Sequence, residues 1–186
     1  MPESRYALWR NKDSKSVTDQ YPYDSIRYKT FNNVLDTICC VAFKHAFINQ
    51  VDYGDIWEVD LEKNTKYPYF HCVPVNVNTG TSTLTYNFQL IIMDLVEPDQ
   101  SNEQQVQSDT LQILLDILSL FRNGEITKVG ADEVPVYYTD GDYTITPFTE
   151  RFDASVTGWL MDFDVIVDNP YPACNVPLKD DLNCID

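Results

Sequence analysis

The chain reads as an α+β protein: an antiparallel sheet built around one long β-hairpin, with two amphipathic helices packed on it. Three patterns predict this. Val73, Val75 and Val77 alternate towards Asn78-Thr79-Gly80, placing them on one face, and Leu84, Tyr86, Phe88, Leu90 and Ile92 alternate after the turn. Residues 69–96 therefore form a hairpin closed by polar turn residues. Directly downstream, Ser101 with Gln104 makes a capping pair, and Val106, Ile113, Leu114, Ile117, Leu118 and Phe121 follow at helical spacing. In the last third, Thr157, Trp159, Met161, Phe163, Val165 and Val167 alternate in a clean period-two strand that ends at Asn169-Pro170.

Taken in order, residues 1–24 are polar, without period, and punctuated by Tyr21-Pro22-Tyr23. They read as an extended N-terminal arm whose aromatics (Tyr6, Trp9, Tyr21, Tyr23) favour ordering against a surface such as a neighbouring copy. A first helix is expected over 25–49, capped by Asp24 or Ser25, with Phe31, Val34, Leu35, Ile38, Val41, Ala42 and Ala46 as its apolar stripe. Asp55 to Asp60 should make an extended turn around Trp57, and Glu62 to Lys66 a polar loop. After the hairpin, Asp99, Ser101 and Glu103 place negative charge at the start of the second helix, where its dipole favours it, and Arg122 with Asn123-Gly124 stops it. Val134 to Tyr138 is expected as a short strand, Asp140-Gly141-Asp142 as a turn, and Tyr143 to Phe148 as a further strand. The domain thus spans 25–170, and residues 171–186 form a Pro- and Asp-rich tail.

With 44% apolar and 13% aromatic residues in 186, the chain has enough material for one domain with a packed core. No apolar run approaches the roughly 18 residues of a membrane span, and Met-Pro-Glu-Ser-Arg lacks the apolar stretch of a secretory signal. The expectation is a soluble protein made in a cytoplasm, with no membrane partner. Five cysteines, two of them adjacent at Cys39-Cys40, fit buried thiols better than a disulfide framework. Cys39, Cys40, His45, His71 and Cys72 show no zinc-ligand spacing, so neither metal nor cofactor is expected.

Charge is the strong compositional signal. The net charge is −16, but residues 1–30 hold six basic and four acidic residues while residues 31–186 hold seven basic and 25 acidic. Sequence-independent grip on nucleic acid depends on Lys and Arg neutralising phosphates, which this body lacks.

No arrangement of carboxylates or nucleophiles predicts catalysis. Asp140/Asp142 and Asp162/Asp164 are spaced about 7 Å apart by strand pleat alone, so that distance carries no information. Adjacent His71 and Cys72 on a strand point to opposite faces and cannot pair. Phosphate loops, dinucleotide fingerprints and the nucleophile elbow are missing, and Asp140-Gly141-Asp142 lacks the later Glu of a calcium loop. The chain is expected not to be an enzyme.

The order helix, hairpin, acid-rich loop, helix, final strand resembles the tail-terminator and tail-completion proteins of tailed bacteriophages and the related neck ring proteins. Asn-Phe-Gln-Leu-Ile-Ile-Met-Asp-Leu-Val (87–96), Gln-Val-Gln-Ser-Asp-Thr-Leu-Gln-Ile-Leu-Leu-Asp-Ile-Leu (105–118), Thr-Glu-Arg-Phe-Asp-Ala-Ser-Val-Thr-Gly-Trp (149–159) and Tyr-Pro-Ala-Cys-Asn-Val-Pro-Leu (171–178) are similar to members from phages of Bacteroidetes hosts. The resemblance spans about 25–178. It implies a virion protein of tail or neck, assembled as a hexameric or dodecameric ring against portal, neck or tail proteins, with DNA passing through unbound. Residues 131–186 hold 12 acidic and two basic residues, which nominates Asp162 and Asp164 as lumen-facing; an ordinary solvated strand face is the plainer alternative. A tail-tube or baseplate ring protein, or a non-viral ligand-binding module, are the competing readings.

Overall fold

The computed structural model describes residues 30–55, 65–122, 128–129, 134–135, 137–139, 141–151 and 155–168. The expected arm over 1–24, the caps at Asp24 and Ser25, the turn around Trp57 and the tail over 171–186 lie outside these residues. The architecture is α+β. Helices α1 (Phe31–Lys44) and α2 (Glu103–Arg122) pack on a sheet of β1 (Gln50–Tyr53), β2 (Tyr69–Thr79), β3 (Thr83–Leu95), β6 (Ile145–Arg151) and β7 (Ser155–Asp168). The strand order is β1-β2-β3-β7-β6, and a separate two-stranded ladder joins β4 (Lys128–Val129) to β5 (Val134–Pro135).

The hairpin and β7 form as their alternation requires. β3 is the central strand, pairing antiparallel with β2 and, over its whole length, with β7 from Thr83↔Asp168 to Leu95↔Val156. This register stacks Tyr86 on Val165, Phe88 on Phe163, Leu90 on Met161 and Ile92 on Trp159 on the face that carries both helices. α1 contributes Val34, Leu35, Ile38, Cys39 and Ala42 to that core, and α2 contributes Ile113, Leu114, Ile117, Leu118 and Phe121. Phe121 meets Phe163 edge-on at 5.2 Å, a favoured aromatic geometry. The Trp159 indole donates to the Gln107 carbonyl (2.7 Å), and the buried Thr157 hydroxyl donates to the Phe148 carbonyl (2.9 Å), so the polar groups under α2 are bonded.

The structure departs from the sequence reading in five places. First, the helix expected over 25–49 runs only from Phe31 to Lys44 and stops short of residue 49. Thr30 before it is extended (φ −77°, ψ 153°), so Asp24 or Ser25 does not cap it. His45 is extended (φ −67°, ψ 132°), Ile48 turns into the core, and Asn49 N–H donates to the Pro68 carbonyl (2.9 Å). The chain then runs as β1, parallel to β2 from Gln50↔Tyr69 to Tyr53↔Cys72. Backbone bonding to a free strand edge outcompetes another helical turn, and the sheet becomes mixed at that edge.

Second, Val73 and Val77 do not share a face. The register jumps between Pro74 and Asn76, leaving Val75 as a bulge. One extra residue in a period-two strand exchanges the faces beyond it. Val73 therefore packs with Tyr69 on one side, while Val77 pairs with Tyr86 on the other.

Third, α2 begins at Glu103, one residue later than a Ser101 cap would place it, and the Asn102 carbonyl accepts its first bond, from Val106 N–H (3.0 Å). The Ser101 hydroxyl and N–H both donate to Asp99 Oδ1 (2.7 and 3.1 Å), and Asn102 Oδ1 accepts from Glu97 N–H (2.8 Å). The bonds from the Ser101 hydroxyl and N–H hold the Asp99 carboxyl below its ordinary range.

Fourth, the strand expected over Val134 to Tyr138 is only the two residues of β5, followed by a bridge from Tyr138 to Ile166; the next strand begins at Ile145. Fifth, the sheet face away from the helices is not uniformly wet. Tyr69, Ile91, Met93 and Val156 form a second buried cluster there, with Tyr67, Val73, Phe148 and Leu160 around it.

Candidate functional site

The helix-free face divides along the strands. At the β1 end it is apolar and buried; towards the hairpin turn it becomes a row of amides and carboxylates. Cross-strand pairing sets Asn76 opposite Asn87, Asn87 opposite Asp164, and Gln89 opposite Asp162. These side chains bond one another: Asn87 Nδ2 donates to Asn76 Oδ1 (2.6 Å) and Gln89 Nε2 to Asp162 Oδ1 (3.2 Å). A groove of about 580 Å³ lies beside them, lined by Asn76, Asn78, Asn87, Asp142, Asp162 and Asp164 together with the apolar Val75, Phe88, Tyr143 and Phe163.

One wall is the segment 141–144, which is fixed from the helix side. Arg122, in the last turn of α2, donates to the Gly141 carbonyl (2.7 Å), and its guanidinium lies over the Tyr143 ring (5.7 Å). Tyr143 packs on Phe163 (5.5 Å) and hydrogen-bonds through its hydroxyl to Thr139 and to the Asp164 carbonyl. Burial first, and the Asp164 carboxylate after it, push the Tyr143 hydroxyl up to about 12, so it stays protonated.

Asp162 and Asp164, nominated from sequence, thus come together on one face, with Asp142 joining them; Asp140 lies outside the described residues. The lining contains three carboxylates and no lysine, arginine, histidine or cysteine. Such a surface offers acceptors and a negative potential, and its lining has no cation to receive a phosphate. Sequence reasoning missed Asn76, Asn78 and Asn87. The available signal was asparagine within strands, where it is disfavoured unless its side chain finds polar partners.

The remaining reactive groups sit elsewhere. Cys72 belongs to the helix-side core and His71 to the opposite face, where Tyr69 Oη meets its Nδ1 at 3.1 Å. Cys39 packs on Cys72; the hydrogen bond between them, then burial, push the Cys39 thiol well up, so it behaves as a core side chain. His45 Nε2 lies 3.4 Å from Asp116 Oδ2, tying the end of α1 to α2. Among the described residues Cys39, Cys40 and Cys72 form no disulfide, and no group of three or more His, Cys, Asp or Glu is placed to hold a metal. No described helix is long and apolar enough to cross a membrane.

The fold and this groove define an acidic α+β domain with a polar sheet face. No protein-family model matches the chain, and no curated protein matches it.

Proposed function

We propose that this chain is a structural virion protein of a tailed phage, a tail terminator or connector, that closes into a hexameric or dodecameric ring at the head–tail junction. DNA passes through the ring, and the chain performs no catalysis. The observation that carries the reading is the outer edge of β2. β1 covers it only over residues 69–72; over residues 73–79 it pairs with no strand among the described residues, and Val75 and Val77 are exposed there. An exposed edge of this length is a template for joining another chain, and Pro74 with the bulge at Val75 restricts which chain fits. Seven residues of edge fall short of the roughly 1,200–2,000 Å² of a specific interface, so the flanking hairpin faces must be buried as well. Neighbouring portal, neck or tail proteins would stack on the ring's two rims.

The groove supports the second half of the reading. With Asp142, Asp162 and Asp164 turned to the lumen, the channel wall repels phosphates and DNA slides without binding. Light scattering and electron microscopy of the full chain test this: closed single rings are expected. A monomer at all concentrations ends the proposal. Stacked tubes would instead indicate a tail-tube or baseplate ring, and a monomer that takes a small polar ligand into the Asn/Asp groove would indicate a binding module.

A further inference from the structure

The tip of β2 has an open backbone edge and two faces of different chemistry. Residues 75–79 are exposed, and their outer edge pairs with no strand among the described residues. On the helix side the edge carries an apolar patch whose members touch. Val77, 46% exposed, pairs with Tyr86. Phe31, 38% exposed at the start of α1, lies against Tyr86 and stacks on Phe88, with 6.2 Å between ring centres in both cases. On the other side Asn76 and Asn78 open the groove that runs to Asp142, Asp162 and Asp164. A strand added here meets apolar groups on one face and a negative potential on the other, and added strands are selected by their alternate side chains.

We infer that the added strand is Ser25–Lys29 of a second copy of this chain, an assignment that rests on the ring reading above and names the segment that joins one subunit to the next. Helix α1 begins only at Phe31, so Ser25-Ile26-Arg27-Tyr28-Lys29 stands ahead of it. The order alternates: Ile26 and Tyr28, both good strand formers, fall on one face, and Arg27 and Lys29 on the other. Its length matches the exposed stretch 75–79 residue for residue. Ile26 and Tyr28 cover Val77 and Phe31 of the receiving copy, while Arg27 and Lys29 project over Asn76 and Asn78. Asp162 and Asp164 lie three strand spacings away, about 14 Å, so they attract the two cations as a field along the groove rather than as ion pairs. The groove's carboxylates still outnumber those cations, which leaves that face negative, and the basic strand offsets repulsion between bodies of net −16.

Connection length selects a neighbour over the segment's own edge. Phe31 rides on the helix-side face, one packed layer, roughly 10 Å, above the sheet. Thr30 alone separates Lys29 from that helix, and one residue spans at most about 3.6 Å. A strand ending at Lys29 in the plane of its own sheet cannot climb that step. Against a neighbour whose sheet is offset by one layer, no climb is needed.

The test uses the full chain with benzoylphenylalanine replacing Tyr28, assembled from equal parts of light- and heavy-isotope protein, with mixing checked by native mass spectrometry. Cross-linked peptides joining residue 28 of one isotope to residues 74–79 or Phe31 of the other are expected. Arg27→Glu combined with Lys29→Glu, both ahead of the packed helix, should lower their yield at least tenfold. Cross-links confined to single-isotope pairs in mixed rings overturn the exchange in favour of the segment's own edge. An undiminished yield in the double variant overturns the match between the basic face and the groove on which the assignment stands. Rings that form with no cross-link to residues 74–79 or Phe31 overturn this inference and leave the ring reading standing. Monomers throughout overturn both.

Discussion

The base of β2 (residues 69–72) and its tip (residues 73–79) belong to one strand and have opposite surroundings. The base is bonded on both edges, by β1 and β3, and is buried on both faces: Phe70 and Cys72 under the helices, and on the other side Tyr69 within the smaller cluster with His71 stacked on its ring. The tip is bonded to β3 alone, and residues 75–79 are exposed. Strand propensity does not account for this, because Val75 and Val77 are better strand formers than the buried His71. Burial follows the number of layers covering a position. The helices cover one face of the base and β1 bonds its outer edge, a pairing that ends at Cys72, ahead of the bulge at Val75.

The comparison can be broken most severely at the base. Gly158 faces Met93, next in the ladder to Tyr69, and a Cβ there would run into the Ile92 carbonyl oxygen and the Met93 Cα. Gly158→Val is expected to cost more than about 4 kcal/mol, seen as loss of a cooperative urea transition. Phe70→Ala comes next, at about 3–5 kcal/mol, because Phe70 is wholly buried under α1 and the cavity cannot be filled by water.

A smaller effect, of opposite sign, lies beside the base at the end of β3. Burial, and the Asp109 carboxylate after it, raise the Asp94 carboxyl above its ordinary 3.8, against the opposing bond from Leu95 N–H. A raised folded-state value favours the folded protein while the group is protonated, and that contribution is lost as pH rises through the folded value. Asp94→Asn should therefore raise stability at pH 7 by less than about 1 kcal/mol, given the partial exposure of the site, and the gain should vanish below about pH 3.5 in paired denaturation curves. The smallest effect belongs to the tip: Val77→Thr is expected to change stability by under about 0.5 kcal/mol. The same substitution should weaken ring assembly in light scattering if the tip is the subunit interface. That is the sharpest use of the contrast, since it separates folding from association in one residue.

The long elements were legible because their periodicity is unambiguous. Leu84 to Ile92 and Thr157 to Val167 alternate over enough residues to exclude a helix, and α2 repeats over five turns. The short ones were not. β1 is four residues with no alternation to speak of, and it is a strand only because the edge of β2 is there to bond it. The candidate site was half legible: Asp162 and Asp164 stood out as the carboxylate face of a strand, while Asn76, Asn78 and Asn87 join them only through the registers of β2 with β3 and β3 with β7.

By itself, then, the amino-acid order determined the long strands β3 and β7, the helix α2, the apolar stripe each of them presents and the acidity of the body, because these depend on neighbours within a few residues. Tertiary structure decided the end of α1, the parallel strand at the edge, the exchange of faces at Val75 and the assembly of a polar groove from distant strands. Each of those is settled by backbone hydrogen bonds between segments far apart in sequence, whose partners exist only once the sheet has formed.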